Sequence, residues 1–445
     1  MSEEIVAAAP GWSAGVTGRH WRILWASFLG WIFDGYEAYA LILALPMALK
    51  SILTPAQAQT PSLYFGAAIS ITLLGWGIGG LAGGILADYI GRKRTMMLAV
   101  FFYALFTGVT AFTQSFAQLA ALRFITGFAI GSEWSTGVAL VAETWPNRAR
   151  PIGCGFLQSG FGWGSLLAAI VWFLLSLGNP LGAESWRLLF AVGALPALCV
   201  LYLRRALNES EQWLQAVRDK RWASVAGAEE ILSDGGARPF TLVALLSSAE
   251  GRRRIALTVL LSIATTSGWW AVSSWLPALT EQMAKAQGLG AGIWGPRMAI
   301  IYTTGAVAAY LLSGFIAEAL GRRLYLFLVF AGSLAVTLLT YLWSGGFTPF
   351  IAIAFLNGFF TLGMAYSWMA IYPVELFTPT VRATACSFIF NAARLIACLF
   401  PLLAGSIVQY FGGIVKAALI IGSVYLLGLA IPWFLPETRG QKLPE

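Results

Sequence analysis

The chain has 445 residues, of which 58% are hydrophobic and 11% are charged, and its mean hydropathy is +0.74. This composition is too apolar for a soluble globular protein and indicates a protein of the lipid bilayer. His20 is the only histidine, which excludes a histidine-based zinc or catalytic centre. The net charge of +8 does not indicate nucleic-acid binding, because the basic residues follow a membrane pattern.

Apolar runs centred near residues 35, 75, 104, 131, 163 and 195 predict six membrane spans, and runs near 267, 308, 333, 361, 395 and 425 predict six more. The spans are predicted to be helical, because the runs lack the period-two alternation of a β-barrel. With the N-terminus inside, 21 of the 28 Lys and Arg residues lie on one side of the membrane and five on the other. This positive-inside bias predicts a multi-pass protein of a bacterial inner membrane with both termini in the cytoplasm.

A charged connection between two spans recurs later in the chain. Gly84–Arg94 and Gly314–Arg323 share a Gly, an acid four residues on, a Gly seven residues on and then paired bases, at a displacement of 230 residues. A repeat this long, with several apolar spans in each copy, predicts a duplicated helical bundle.

The predicted domains follow this duplication. A polar, charged stretch separates the halves, and its short apolar run 240–246 is predicted to be a helix on the membrane surface. The predicted boundaries are a cytoplasmic tail over 1–20, an N-terminal six-helix bundle over 21–206, a cytoplasmic linker over 207–254, a C-terminal six-helix bundle over 255–436 and a cytoplasmic tail over 437–445.

With these motifs, the chain resembles the major facilitator superfamily over essentially its full length. Gly84–Arg94 resembles the most specific signature of that superfamily, although Tyr89 replaces the usual basic residue. The resemblance implies two six-helix bundles related by a pseudo-two-fold axis, with a central cavity exposed alternately to each side. We expect a cytoplasmic gate formed by Asp88, Arg92, Glu143, Arg150, Glu318, Arg322, Glu375 and Arg382. The alternative is that these loops serve only as positive-inside anchors.

Three acidic residues lie near the middle of predicted spans, where each charge costs about 2.5–3.5 kcal/mol. Asp34 and Glu37 are three residues apart on one face of the first span, and Glu133 lies close to the centre of the fourth. Two neighbouring carboxylates in an apolar environment oppose joint ionisation, so at least one is expected to hold a proton near neutral pH. These three residues are the predicted proton-coupling groups.

Two arginines lie within predicted spans. Arg394 is central in the eleventh span, three residues after Asn391, and Arg123 lies in the fourth. A guanidinium donates two parallel hydrogen bonds to a carboxylate, so an organic anion is the predicted substrate. A buried ion pair between Arg123 and Glu133 is the structural alternative. The predicted substrate-binding residues are Arg394, Arg123, Asn391, Gln158, Tyr302 and Asn357.

A narrower resemblance supports the same roles. The sequence of Asp34–Glu37 resembles a signature in the first helix of proton symporters for aromatic acids and sialate. Segments 123–127, 131–134, 142–146 and 158–162 are similar to the fourth and fifth helices of sialate and monocarboxylate symporters. This resemblance implies proton coupling at the three acids and anion binding at Arg123 and Arg394.

The predicted function is therefore a secondary active transporter that takes up a small mono- or dicarboxylate with protons by alternating access. The predicted partners are this substrate, the proton and the bilayer, and the protein is expected to act as a monomer. We expect no enzyme activity, no metal, no nucleic acid and no cofactor other than the coupling H+. A neutral-sugar porter or drug:proton antiporter of the same fold is the first alternative, because Asn208–Ser210 and Pro436–Arg439 echo a motif of sugar and organic-ion carriers. A non-transporting nutrient sensor is the second.

Overall fold

The computed structural model describes residues 11–178, 180–195, 208–222, 225, 239–273, 276–289 and 294–444. The regular structure of these residues is helical throughout, without a β-strand. The end of the predicted sixth span and part of the predicted linker lie outside the described residues. The predicted domain boundaries therefore stay predictions.

In its described residues, the first half of the chain contributes six helices. They are α1 (Gly18–Ile52), α2 (Pro61–Ile90), α3 (Arg92–Thr110), α4 (Phe116–Thr144), α5 (Arg150–Gly178) and α6 (Trp186–Val192). Pro61 is the first residue of α2. A backbone N–H at this position has no hydrogen-bond partner within the helix, so a proline, which lacks it, is well tolerated there. The Ser115 side chain accepts a hydrogen bond from the backbone of Gln118 and so caps α4.

The linker and the second half contribute the other helices. The linker helices are α7 (Glu211–Arg218) and α8 (Thr241–Ser247). The second half contains α9 (Ala249–Ala271), α10 (Leu276–Ala286), α11 (Trp294–Leu320), α12 (Arg322–Tyr341), α13 (Phe347–Asn357), a π-helical turn (Gly358–Met364), α14 (Ala365–Ile371), α15 (Arg382–Ala397), α16 (Leu399–Phe411), α17 (Ile414–Gly422) and α18 (Leu427–Ala430). α8 matches the predicted short helix, and it packs against α9 and α15.

Within the described residues, nine helical segments are long and apolar enough to cross a membrane. Two further predicted spans, α3 and α9, are helices whose first turns carry three consecutive basic residues, which lower their mean hydropathy. The predicted sixth span begins with α6 and continues beyond the described residues.

The repeated motif forms the same turn in each half. Gly91 separates α2 from α3 with φ of 100°, and Gly321 separates α11 from α12 with φ of 84°. Both values lie in the left-handed region, which favours glycine because it has no Cβ. After each turn a glutamate accepts hydrogen bonds from the first two backbone N–H groups of the next helix. Glu209 does so for α3 at 2.9 and 3.2 Å, and Glu437 does so for α12 at 2.8 and 3.1 Å.

The two halves pack along two seams, α5 against α11 and α2 against α15. At the first seam Gly155 lies against Gly314, where a Cβ on either residue would crowd the other helix. Small residues of this kind let transmembrane helices approach closely. We call the end of the bundle that carries Gly91 and Gly321 the basic end, and the opposite end the distal end.

A layer of buried ion pairs joins the halves at the basic end. Glu143 of the first half accepts hydrogen bonds from Arg92 of its own half at 3.1 Å and from Arg382 of the second half at 2.9 Å. Arg92 also donates to the carbonyl of Pro379 at 2.6 Å. Asp88 pairs with Arg92 at 2.9 Å. The Glu143–Arg382 and Arg92–Pro379 contacts can form only when the two halves are together at this end.

The other contacts of the residues predicted for the gate lie in or beside the same layer. Asp88 accepts hydrogen bonds from the backbone N–H and the hydroxyl of Thr384, at 2.9 and 2.6 Å, across the seam. Arg322 pairs with Glu375 at 2.8 Å and with Glu318 at 3.1 Å within the second half. Arg150 differs, because it donates to the side chain of Asn147 and to a backbone carbonyl near the end of α4. The basic end is therefore closed in this conformation.

Replacing Glu143 by Gln is expected to loosen the basic end. The carboxylate of Glu143 is shared by Arg92 and Arg382, and breaking a buried ion pair costs about 3–5 kcal/mol. Cys154 and Cys386 are buried one turn beyond this layer and serve as native reporters. Their rates of reaction with a membrane-permeant maleimide, mapped by mass spectrometry, are expected to rise at least about tenfold.

The matched control is Glu184→Gln. Glu184 pairs with Arg187 at the distal end, where both side chains are partly exposed, so this change should leave the labelling rates unaltered. Equal labelling in wild type and Glu143→Gln would show that this carboxylate does not hold the basic end closed.

Candidate functional site

A small cavity lies between the halves, midway along the bundle. Its volume is about 10 Å³, which is at the lower limit for a single water molecule. The cavity is lined by Trp31, Trp76, Gln158, Phe161, Trp269, Trp270, Tyr310, Leu362, Tyr366, Phe390 and Arg394. Among these lining residues Arg394 is the one charged side chain, and most of the others are aromatic. In this conformation the cavity is therefore nearly filled by its own side chains, and Arg394 is the single cation among them.

Arg394 is held on α15 by its aromatic neighbours. Its guanidinium carbon lies 3.7 Å from the ring centroid of Phe390 and 4.6 Å from that of Trp76. One terminal nitrogen donates to the carbonyl of Phe390, one turn earlier, at 2.5 Å. Cation–π contacts of this kind stabilise a desolvated guanidinium by about 2 kcal/mol each. They hold its position without neutralising its charge.

Several hydrogen-bond donors around this cavity have no acceptor. Within the described residues, Nε of Arg394, Nε1 of Trp76 and the hydroxyl of Tyr310 are buried without a hydrogen-bond partner. The hydroxyl of Tyr366, which lies near that of Thr266, is also buried without a hydrogen-bond partner among the described residues. A buried donor without a partner costs about 1–3 kcal/mol. A ligand that brings acceptor atoms into this cavity would remove that cost.

Aromatic rings fix the shape of the cavity. Trp31 donates to the backbone carbonyl of Gln158 at 3.2 Å, and Trp134 donates to its side-chain oxygen at 2.7 Å. Trp134 of the first half stacks on Phe390 of the second half, with ring centroids 3.7 Å apart and planes inclined by 15°. The walls are therefore flat, hydrogen-bonded surfaces supplied by both halves.

A carboxyl pair lies near this cavity in the first half. Asp34 on α1 and Glu133 on α4 are buried within hydrogen-bonding reach of each other. No N–H or O–H group elsewhere in the described residues donates to either carboxyl group. A hydrogen bond between two carboxyl groups requires a proton on one of them. The pair is thus arranged to share a proton.

The other predicted coupling acid has a different partner. Glu37 forms a buried ion pair with Arg123, whose other terminal nitrogen donates to Thr110 at 2.5 Å and Thr126 at 3.3 Å. The predicted alternative pair of Arg123 with Glu133 is wrong, because ten residues of α4 separate them by about 15 Å along the helix axis. The two acids of the first span therefore have different partners, Arg123 for Glu37 and Glu133 for Asp34.

The remaining predicted substrate-binding residues divide into two groups. Gln158 lines the central cavity with Arg394. Tyr302 and Asn357 lie instead in a hydrogen-bonded network beside it, where both contact Thr361 on the π-helical turn, at 3.2 and 2.9 Å. Asn391 donates to the carbonyl of Ser387 at 3.0 Å and faces the seam with α2. Neither this residue nor the network lines the cavity in this conformation.

Three residues around Arg394 are not among those predicted from the sequence. Trp76, Tyr310 and Phe390 surround Arg394 and supply two of the unpaired donors and the closest ring. One signal was available for Tyr310, which lies eight residues, about two helical turns, after Tyr302 and so on the same face of α11.

Two further cavities extend from the centre towards the distal end. One, of about 20 Å³, lies beside Glu37 and Arg123. The other, of about 880 Å³, lies between the distal ends of α1, α2 and α16, and we call it the vestibule. Trp270 at the end of α9 lines the central cavity, the small side cavity and the vestibule. Trp270 therefore lies where the three cavities approach one another.

Comparisons with known proteins agree with this architecture. The model of the family "Sugar (and other) transporter" matches residues 23–445. A probable 4-methylmuconolactone transporter of Cupriavidus pinatubonensis is 30% identical over 431 residues, covering 94% of this chain and 91% of that protein. The cis,cis-muconate transport protein of Acinetobacter baylyi is 27% identical over 93% of this chain and 94% of its own.

A solved structure shows the same fold. The proton:xylose symporter XylE, of the major facilitator superfamily, superposes with a TM-score of 0.74 over 95% of this chain and 97% of its own, at 19% identity. The chain therefore belongs to the sugar and other transporter family of the major facilitator superfamily, and it is a multi-pass membrane transporter with two six-helix bundles and not an enzyme.

Proposed function

We propose that this protein takes up a small planar organic carboxylate together with protons, by alternating access across a bacterial inner membrane. The observation that carries the proposal is the central cavity, where Arg394 and several unpaired donors have no acidic partner among the described residues. A carboxylate brings two oxygens that accept charge-assisted hydrogen bonds from a guanidinium. A bound carboxylate would therefore neutralise the charge of Arg394 and accept hydrogen bonds from the unpaired donors.

The walls of the cavity favour a flat substrate. Rings from both halves surround Arg394, and aromatic surfaces stack well on a conjugated or ring-shaped body. A neutral sugar would instead need several donors and acceptors for its hydroxyl groups, and the lining supplies few acceptors apart from Gln158. The names of the two relatives, which refer to 4-methylmuconolactone and cis,cis-muconate, support an organic acid.

The carboxyl pair of Asp34 and Glu133 supports proton coupling. A shared proton would reduce the negative charge near the bound anion and so favour closure around it. Release of the proton on the other side would restore the repulsion and promote release of the substrate. Each proton contributes about 1.4 kcal/mol per pH unit, and each net charge about 2.3 kcal/mol per 100 mV. The Glu37–Arg123 pair is a second candidate for a proton site on the same helices.

The side to which the vestibule opens follows from the orientation that we propose. Because most Lys and Arg residues lie at the basic end, the positive-inside rule puts that end and both termini in the cytoplasm. The closed ion-pair layer is then the cytoplasmic gate, and the vestibule opens to the outside. The conformation described here would be outward-facing, with its central site closed off by Trp270.

Uptake into proteoliposomes tests the proposed function directly. With an inward proton gradient, in which the outside is the more acidic side, radiolabelled benzoate or cis,cis-muconate is expected to accumulate above its external concentration. A protonophore, which collapses the gradient, is expected to abolish this accumulation. Xylose should not be taken up. Uptake of the sugar but not of the acids would support the sugar porter, and binding without counterflow would support the sensor.

Arg394→Lys is expected to raise the KM for the acid about 10–100-fold, because charged hydrogen bonds contribute about 1.5–3 kcal/mol and an ammonium lacks the planar fork. The control is Arg297→Lys, since Arg297 is an exposed distal residue that lies 5.1 Å from the ring of Trp294. An unchanged KM in Arg394→Lys would remove this residue from the anion site.

Glu133→Gln is expected to keep exchange of labelled for unlabelled substrate but to lose accumulation driven by the pH gradient, because an amide cannot exchange the coupling proton. Asp34→Asn should behave in the same way if the two carboxyls share that proton. Accumulation at the wild-type level in both variants would show that the coupling proton binds elsewhere, and the same variants of Glu37 would then be tested.

A further inference from the structure

The vestibule is much larger than the other cavities between the halves, and the central site does not account for it. It is lined by Ile42, Pro46, Leu49, Lys50, Leu53, Ala58, Pro61, Ser62, Leu63, Phe65, Ile69, Trp270, Phe400, Pro401, Leu402 and Ser406. Its volume of about 880 Å³ lies within the usual range of about 300–1,000 Å³ for small-molecule sites. A small planar acid therefore fits inside it with room to spare.

The central cavity has no such room. At about 10 Å³ it cannot hold an organic acid while the chain keeps this conformation. The ion-pair layer closes the basic end, so a substrate that approaches from the distal end meets the vestibule first. Trp270 lines both cavities and so lies at the boundary between them. Arrival at the protein and binding at Arg394 are therefore separate steps.

The chemistry of the vestibule is similar to that of the central cavity. Among the described residues that line it, Lys50 is the one charged side chain, and this exposed lysine forms no ion pair with any described residue. Lys50 lies in the last turn of α1. The lining also includes two aromatic residues, Phe65 and Phe400, and two serines, Ser62 and Ser406. One cation next to aromatic and aliphatic walls again suits an anion with an apolar body.

We propose that the vestibule is a second binding site for the same class of organic carboxylate. Lys50 binds the carboxylate, Phe65 and Phe400 contact the apolar body, and the substrate waits there until Trp270 moves. This inference rests on the proposed function for its substrate class. Because Lys50 is exposed, the attraction is weak and is screened by salt, with a Debye length of about 10 Å at 0.1 M.

Uptake kinetics of Lys50→Gln test the inference. At low ionic strength the KM for external benzoate is expected to rise about two- to fivefold, as for loss of an exposed charge pair, while kcat stays unchanged. At about 0.5 M salt the KM values of wild type and variant should converge. The control is Lys416→Gln, since Lys416 is an exposed lysine of the distal end that does not line the vestibule. Equal KM values for Lys50→Gln and Lys416→Gln at low salt would overturn the inference.

Equilibrium dialysis of labelled benzoate separates the two sites. Purified Arg394→Gln, checked for folding by its thermal melting, should keep a weak binding site that the double variant Lys50→Gln/Arg394→Gln loses. The same benzoate binding in both variants, or none in Arg394→Gln, would overturn the inference. If wild type transports no acid at all, the proposed function fails on that result. The vestibule site is then still decided by whether Lys50→Gln binds less benzoate than wild type.

Discussion

An uncompensated guanidinium in the middle of the bilayer is the constraint on which this account depends. Arg394 lies between Phe390 and Trp76 with one hydrogen bond to the backbone of its own helix, and no acidic side chain lines its cavity in the described part of the chain. A charge at this depth costs several kcal/mol unless a partner reduces the cost. Cation–π contacts compensate for part of that cost, and they leave the charge available for an anion. A bound carboxylate would supply the missing partner.

One helix connects this charge to the closed basic end. α15 begins with Arg382, which pairs with Glu143 of the other half, and it carries Arg394 twelve residues later, about 18 Å along the axis. Between them Thr384 binds Asp88 across the seam, and Phe390 stacks on Trp134. A rigid helix that touches the first half at each of these levels would couple occupancy of the anion site to the state of the gate. In the proposed mechanism, this helix is a physical route for alternating access.

Two kinds of feature could be predicted from the sequence: motifs that repeat along the chain, and charged residues that are costly to place within a membrane span. The duplicated loop predicted the paired turns at Gly91 and Gly321, and charges at mid-span pointed to Arg394. Pairing was harder to predict, because Asp34 and Glu37 share a helical face yet contact different residues of α4. Apart from the spacing of Tyr302 and Tyr310, aromatic residues gave no signal, since the chain contains 19 Trp and the sequence alone does not distinguish a cavity wall from a lipid-facing ring. Which side chains meet is decided by how the helices pack against one another, and this packing leaves no periodic pattern in the sequence.

The most direct test of the central claim compares two ligands of nearly the same shape, benzoate and benzamide, by equilibrium binding to the purified protein. Wild type is expected to bind benzoate at least about tenfold more tightly, because only the carboxylate makes charge-assisted hydrogen bonds with Arg394. Arg394→Gln is expected to remove most of that difference. Equal binding of the two ligands by wild type, or a tenfold preference that persists in Arg394→Gln, would contradict the assignment of this arginine as the carboxylate site.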